Sequence, residues 1–336
     1  MYEHIAKFVA ESLWAITEEK LKVIQHFITL KQNGGHVSAE DIAIIKRAPA
    51  EPTFVAVEDG SEIEAAAAQK AGTTPPPRKG ATVAVLPLYG VISPKANMMT
   101  EMSGGTSLDK FSSWFKSAVA DPNVRSIVID VDSPGGSVRG VQEMADEIFA
   151  ARGSKPITAM ISGMGASAAY WIASQADKVV ITPSGEVGSI GVLVALVDES
   201  KAMEQQGIKV DVIKAGKFKA EGADGTWSDE AKAALQGRVD EMYGFFTKAV
   251  ARGRGVSVAA VKEGFGQGRI VSANAGLAEG MVDKVQTMDV TLSKALGRSG
   301  VGTIAEDATP EITASEEPAV IPHNSLALRK KQLELM

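Results

Sequence analysis

The sequence contains no cysteine. That removes thiolate nucleophiles, disulfide frameworks and cysteine-ligated metals together, and it fits a reducing cytosolic compartment. Histidine is almost as scarce: His4, His26, His36 and His323 all lie in the flanks, with none between Val37 and Pro322. A histidine-dependent mechanism in the centre of the chain would need a flank to fold back into it. Aromatic residues are only 5% of the composition, too few for base-stacking platforms, and a formal net charge of −6 lacks the basic surplus of a nucleic-acid binder. No apolar run reaches the roughly 18–20 residues that span a bilayer. Residues 1–22 mix charged and apolar side chains, without the basic start and apolar core of a signal peptide. The chain is therefore expected to be neither exported by that route nor membrane-anchored.

What is present supports a large folded domain with appendages: 336 residues, 45% of them hydrophobic. Residues 1–48 carry helical periodicity (Ile5, Phe8, Val9, Leu13, then Leu21, Ile24, Phe27, Ile28) and are expected to form a helical N-terminal extension. Residues 49–80 have the composition of a linker, with an Ala run and then Thr-Thr-Pro-Pro-Pro. From Ala81 to about residue 298 the character changes to β/α alternation. Strands are predicted at 82–89, 124–131, 157–161, 179–182, 192–196 and 209–213. Helices are predicted at 107–120, 138–152, 167–175 and, from an N-cap at Ser228 to Gly255, over one long segment. Near-continuous apolar strands between helices predict an α/β fold whose parallel sheet is covered on both faces. Residues 299–336 turn acidic and Pro-containing, the composition of a flexible tail, and end in a short amphipathic segment around Arg329-Lys330-Lys331.

Two segments carry the chemistry. In Asp132-Ser-Pro-Gly135-Gly136-Ser137 an apolar strand runs into consecutive glycines, where the backbone can approach a ligand closely and aim free N–H groups at an oxyanion. In Gly163-Met-Gly165-Ala166-Ser167-Ala168-Ala169 a strand ends at a serine that starts a helix. Its hydroxyl sits at the positive end of a helix dipole, although a serine there is also an ordinary N-cap. A serine nucleophile needs a base. With histidine and cysteine excluded, lysine, aspartate and glutamate remain, and the segment around 212–222 offers Lys214, Lys217 and Lys219. A lysine serves as a base where burial or a neighbouring cation lowers its pKa.

The order of five motifs resembles the signal peptide peptidase A family, the S49 serine peptidases. They are Asp132-Ser-Pro-Gly-Gly136, Gly165-Ala-Ser167-Ala-Ala-Tyr-Trp-Ile, Gly185-Glu-Val-Gly-Ser189-Ile-Gly-Val192, Ile213-Lys-Ala-Gly-Lys-Phe-Lys219 and Gly268-Arg-Ile-Val271 with Gly280-Met-Val-Asp283. The resemblance covers about residues 81–290 and implies the Clp-protease/crotonase-like spiral fold. It implies Ser167 as nucleophile, Lys219 as general base, Ser189 as the residue orienting that lysine, and the Gly136 and Ala168 amides as oxyanion donors. Where many family members have Gly-Gly, this chain has Ala168-Ala169. No metal or cofactor is implied; the partners implied are peptide or protein substrates and further copies of the chain in a ring-like homo-oligomer.

The flanks resemble those of phage-encoded members that cut scaffold and capsid proteins during head maturation, which implies action in the host cytoplasm or the prohead. Two other readings compete: the same peptidase chemistry in a host role, and a crotonase-like acyl-CoA enzyme or silent scaffold, for which Asp132 and Glu186 stand near the motifs.

Overall fold

The computed structural model describes residues 13–22, 50–56, 82–96 and 104–297. Its architecture is mixed α/β with largely parallel pairing. Strands β3 (Thr82–Tyr89), β6 (Val124–Ser133), β8 (Ile157–Ala166), β9 (Lys178–Ile181) and β12 (Lys284–Val285) lie side by side in that order, all parallel. Strand β2 (Thr53–Ala56) adds antiparallel to the outer edge of β3. Towards its C-terminal end β8 leaves β9 and pairs instead with β10 (Glu186–Gly188), which carries β11 (Ile270–Ser272) antiparallel on its far side. A second, smaller sheet has the order β1 (Trp14–Ile16), β7 (Gly135–Ser137), β4 (Ile92–Ser93), β5 (Thr106–Ser107).

The helices are α1 (Leu108–Ala120), α2 (Val141–Ala151), α3 (Ala168–Ala173), α4 (Ser200–Gln205), α5 (Asp229–Arg254), α6 (Val258–Glu263), α7 (Ala273–Ala278) and α8 (Met288–Ala295). Alternate residues of a strand face opposite sides of the sheet, and both sides here are buried. Ala84, Ile127, Ile129, Ala159, Ile161 and Val179 point into the larger core with α1, α2 and α3. Their neighbours Val83, Val128, Met160 and Val180 point the other way, under Leu296 and the apolar face of α8. Helix α3 is buried along its whole length, with Trp171 stacked on Phe246 of α5 at 4.6 Å between ring centroids. The caps foreseen for α5 are present: the Ser228 hydroxyl accepts from the Ala231 N–H, and Gly255 takes the left-handed conformation.

The end of α5 is tied to β9 and β12 by an ion pair. Arg254 donates two hydrogen bonds to Asp283, at 2.6 and 3.0 Å, and a third to the Gly280 carbonyl, and Asp283 also accepts from the Val179 N–H. Burial pushes the Asp283 carboxyl up, but the bonds from Arg254 and Val179 outweigh it and hold the group below the ordinary aspartate range. Its contribution to stability is present above the unfolded pKa of about 4 and is lost as pH falls through the lower folded value. Arg254→Met is expected to lower unfolding stability at pH 7 by about 2–3 kcal/mol, somewhat less than for a fully buried pair because Asp283 keeps contact with water. Denaturant titrations should show the gap between variant and wild type narrowing below about pH 4.

Four expectations are corrected. Trp14–Ile16, inside the segment expected to be helical, is a β-strand, and helical backbone follows it over residues 18–22. Its apolar side chains suit either geometry, and pairing with β7 decided between them. Thr53–Ala56, inside the expected linker, is the edge strand β2. Residues 209–213 form no ladder and are exposed, and residues 192–196 contribute a single bridge, Trp14 to Leu193. An apolar run becomes a strand only where an edge is free to receive it. The expected tail at 299–336, and most of the N-terminal extension and linker, lie outside the described residues.

Candidate active site

Ser167 sits between the last residue of β8 and the first of α3, with φ 55° and ψ −122°. A non-glycine residue at positive φ is strained, and such strain persists only where the surroundings over-determine it. Here the Ser167 N–H donates to the Gly188 carbonyl at 2.8 Å, and its own carbonyl accepts from the Trp171 N–H at 2.9 Å. The following helix is anchored in the core, in part by the Tyr170 hydroxyl, which donates to the Met281 carbonyl at 2.8 Å. This strand–sharp turn–helix geometry is that of a nucleophile elbow. The Ser167 Oγ is buried and has no hydrogen-bond partner among the described residues. The Ala168 N–H occupies the first helical position, where no intrahelical acceptor exists.

The glycine pair meets the serine here. Gly135 has φ +96°, and a Cβ built on it would overlap the Ala15 carbonyl oxygen and would itself stand 2.9 Å from Cβ of Ser167 and 3.0 Å from the Ala168 nitrogen. Gly136 lies between two strands, opposite Ala15 on one side and Ile92 on the other. A Cβ there would overlap the Ile92 carbonyl oxygen and stand 2.6 Å from the Ile92 nitrogen. Both positions demand glycine, one for its conformation and both for the close approach of neighbouring backbone. The turn before them is held by Ser133, whose hydroxyl donates to the Gly90 carbonyl at 2.6 Å and accepts from the Gly135 N–H.

Ser189 is the second serine held at positive φ, 53°, with its N–H donating to the Arg269 carbonyl at 2.8 Å. Gly188 pairs with Ala166, so Ser189 and Ser167 leave adjacent parallel strands together. Lys219 is elsewhere: it lies in an exposed turn after Gly216, and its amine makes no hydrogen bond to the Ser167 Oγ. Of the other two candidate lysines, Lys214 is also exposed, and Lys217 pairs with Glu230 at 2.9 Å. The structure thus gathers Ser167, Ala168, Gly136 and Ser189, and leaves the lysine apart.

Asp132 and Glu186 do not form a carboxylate pair aimed at this spot. Asp132 accepts from the Met164 N–H at 3.1 Å, and Glu186 is exposed. One residue earlier, Asp130 accepts from the hydroxyls of Tyr89 and Ser162, and burial raises its pKa against those two bonds, with the nearby Asp132 carboxylate adding to the rise. These carboxylates brace the strand ends beneath the glycine turn. Among the described residues no three His, Asp or Glu side chains converge as a metal site would require, and no helix is long and apolar enough to cross a membrane.

The consecutive glycines marked by the sequence behave as expected, and the positive φ of Gly135 brings the turn against Ser167. Sequence reasoning missed two participants. Trp14–Ile16 and Leu193 frame the spot from two remote parts of the chain, and no local signal marks either of them as part of it.

Comparison with known proteins bears on the same region. Residues 150–301 match the family model described as Peptidase family S49. The chain is 29% identical over 238 residues to the head-tail preconnector protein GP5 of Enterobacteria phage P21, an alignment covering 70% of this chain and 47% of the relative. It is 32% identical over 214 residues to the capsid assembly protease C of Escherichia phage lambda, covering 62% and 48%. To Protease 4 of Salmonella typhi it is 29% identical over 221 residues, covering 66% and 35%. The chain spans about half the length of the two phage relatives.

Proposed function

We propose that the chain, whose residues 150–301 match the model of peptidase family S49, is a serine endopeptidase of that family in which Ser167 is the nucleophile and Lys219 the general base. The observation that carries this reading is the strained, buried Ser167, its hydroxyl without a partner among the described residues and beside the Gly135-Gly136 turn and the Ala168 amide. Ser167 gives its hydroxyl proton to Lys219 as it attacks the scissile carbonyl, and the Gly136 and Ala168 N–H groups hold the oxyanion; the C–N bond then breaks as the lysine passes the proton to the leaving amine, and water hydrolyses the acyl-enzyme. Ser189 orients the lysine. The proposed scaffold is the Clp-protease/crotonase-like spiral fold, with which the forked parallel sheet agrees.

The lysine must travel to the serine. Its segment displays Val197, Ile208, Ile213 and Phe218 to solvent, with Ile213 fully exposed. Exposed apolar side chains in one stretch favour packing against another surface. We place that packing in the ring-like homo-oligomer, where it would bring Lys219 to Ser167 and take the amine out of water, the condition under which a lysine works as a base. The similarity to the phage lambda capsid assembly protease supports scaffold and capsid proteins as substrates in phage head maturation.

The test is hydrolysis of a fluorogenic peptide and of a purified scaffold protein by wild type and lysine variants. Lys219→Ala should lower kcat by about 10²–10⁴, the contribution typical of a general base. Lys214→Ala and Lys217→Ala should stay within about twofold of wild type, since neither group takes part. Equal rates for all three lysine variants would sink the dyad; cleavage of peptide but never of scaffold protein would sink the maturation role.

A further inference from the structure

The groove beside Ser167 is already filled, and its occupant is the chain itself. Residues 13–17 run antiparallel to Gly135–Ser137, with Trp14 opposite Ser137, Ala15 opposite Gly136 and Ile16 opposite Gly135. The Thr17 N–H donates to the Pro134 carbonyl at 3.0 Å and the Val138 N–H to the Leu13 carbonyl at 3.3 Å. These flanking bonds fix the phase of the ladder. In an antiparallel pair hydrogen-bonded and non-bonded positions alternate, so Ala15 and Gly136 exchange both of their bonds. The Ala15 carbonyl therefore accepts from the Gly136 N–H, one of the two proposed oxyanion donors. The same oxygen adjoins the point that lies 2.9 Å from Cβ of Ser167 and 3.0 Å from the Ala168 nitrogen.

On its other edge the segment is bonded again: the Trp14 N–H donates to the Leu193 carbonyl and the Leu193 N–H to the Trp14 carbonyl, both at 2.9 Å. An extended peptide held by backbone bonds on both edges is how sheets capture a peptide ligand. Leu13, Trp14, Ala15, Ile16 and Thr17 are all buried there. A structural strand would need only one of these features; lying in register over the serine, with its carbonyl on the oxyanion donor, is what a substrate does.

We propose that residues 13–17 are an internal substrate mimic: they occupy the peptide-binding groove with Ala15 in the position whose carbonyl Ser167 attacks, and a substrate must displace them to bind. This rests on the peptidase reading of the same site. It also defines the peptide the groove accepts, an extended segment with a small residue over Ser167 and bulky apolar residues on either side of it.

Because the natural chain has no cysteine, one engineered disulfide can lock the strand without competition. Trp14 and Ser137 form a non-bonded pair of the ladder, whose Cα separation of about 4.5 Å lies within the range a disulfide spans. In the full-length Trp14→Cys/Ser137→Cys variant, oxidation is expected to slow hydrolysis of a fluorogenic peptide at least tenfold, and reduction to restore a rate equal to or above wild type. A disulfide that forms without changing the rate, or that fails to form in the folded chain, overturns the proposal. Ala15→Pro supplies an independent measurement, since it removes the N–H that binds Gly136. With the thermal melt of wild type retained, kcat/KM for a short peptide should rise at least fivefold, and no rise overturns the proposal. If wild type, Ala15→Pro and the reduced double variant are all inert, the peptidase reading itself fails; an inert or slow wild type beside an active Ala15→Pro supports the mimic.

Discussion

Replacing Ser167 with alanine is expected to abolish peptide hydrolysis and, in the same protein, to raise its resistance to unfolding. The first effect follows from the loss of the proposed nucleophile; where serine is the attacking group, its removal costs on the order of 10⁴–10⁶ in kcat. The second follows from burial. The Ser167 Oγ is out of contact with solvent and has no hydrogen-bond partner among the described residues, and a buried polar atom left unpaired costs about 1–3 kcal/mol. Alanine keeps the Cβ and removes that oxygen, so a gain of about 1 kcal/mol is expected, a rise in Tm of about 2–4 °C for a domain of this size. Glycine should gain more, because it also relieves a φ of 55°. An ordinary N-cap serine behaves in the opposite way: its removal costs about 1 kcal/mol. Calorimetry of Ser167→Ala and Ser167→Gly beside an activity assay separates the two roles, and a fall in Tm for both variants would refute the account of a strained, unsatisfied nucleophile.

The second large effect is expected at Gly136. Alanine there would drive its Cβ into the Ile92 backbone, and neither strand can yield cheaply. Moving β4 breaks its pairing with β5 and β7. Moving β7 withdraws the Gly136 N–H from the space beside Ser167. Overpacking of this kind costs about 1–3 kcal/mol of stability, and the loss of one oxyanion donor lowers kcat by about 10²–10³. Gly136→Ala should therefore lose activity well beyond its loss of stability, measured at a temperature where the variant is still folded. Gly237→Ala is the control. Gly237 lies in the interior of α5 with open space around it, so the added methyl should stabilise by about 0.5–1 kcal/mol with no change in rate.

Both effects arise where two levels of information meet. Ser167 was legible as a candidate because everything that marks it is local: an apolar strand, small residues at the turn, a serine, then a helix. The α/β alternation and the caps of α5 were legible for the same reason, since periodicity and capping act within a few residues. The scarcity of histidine and cysteine narrowed the base to lysine or a carboxylate without any structure at all.

What surrounds Ser167 was decided by pairing between segments far apart in the chain. Ala15 meets Gly136 across more than a hundred residues, and Leu193 closes the other side. The pattern of Leu13, Trp14 and Ile16 cannot state which edge will receive them, because strand formation depends on a partner rather than on the strand itself. Conversely, the apolar residues at 208–213 stay exposed because no strand edge among the described residues accepts them. By itself, then, the sequence determined which residue types were available for catalysis and that a serine would stand at a helix start. Only the tertiary structure decided that consecutive glycines would face that serine, that the chain's own strand would lie over it, and that Lys219 would stand apart, because backbone pairing acts at long range and leaves no trace in local pattern.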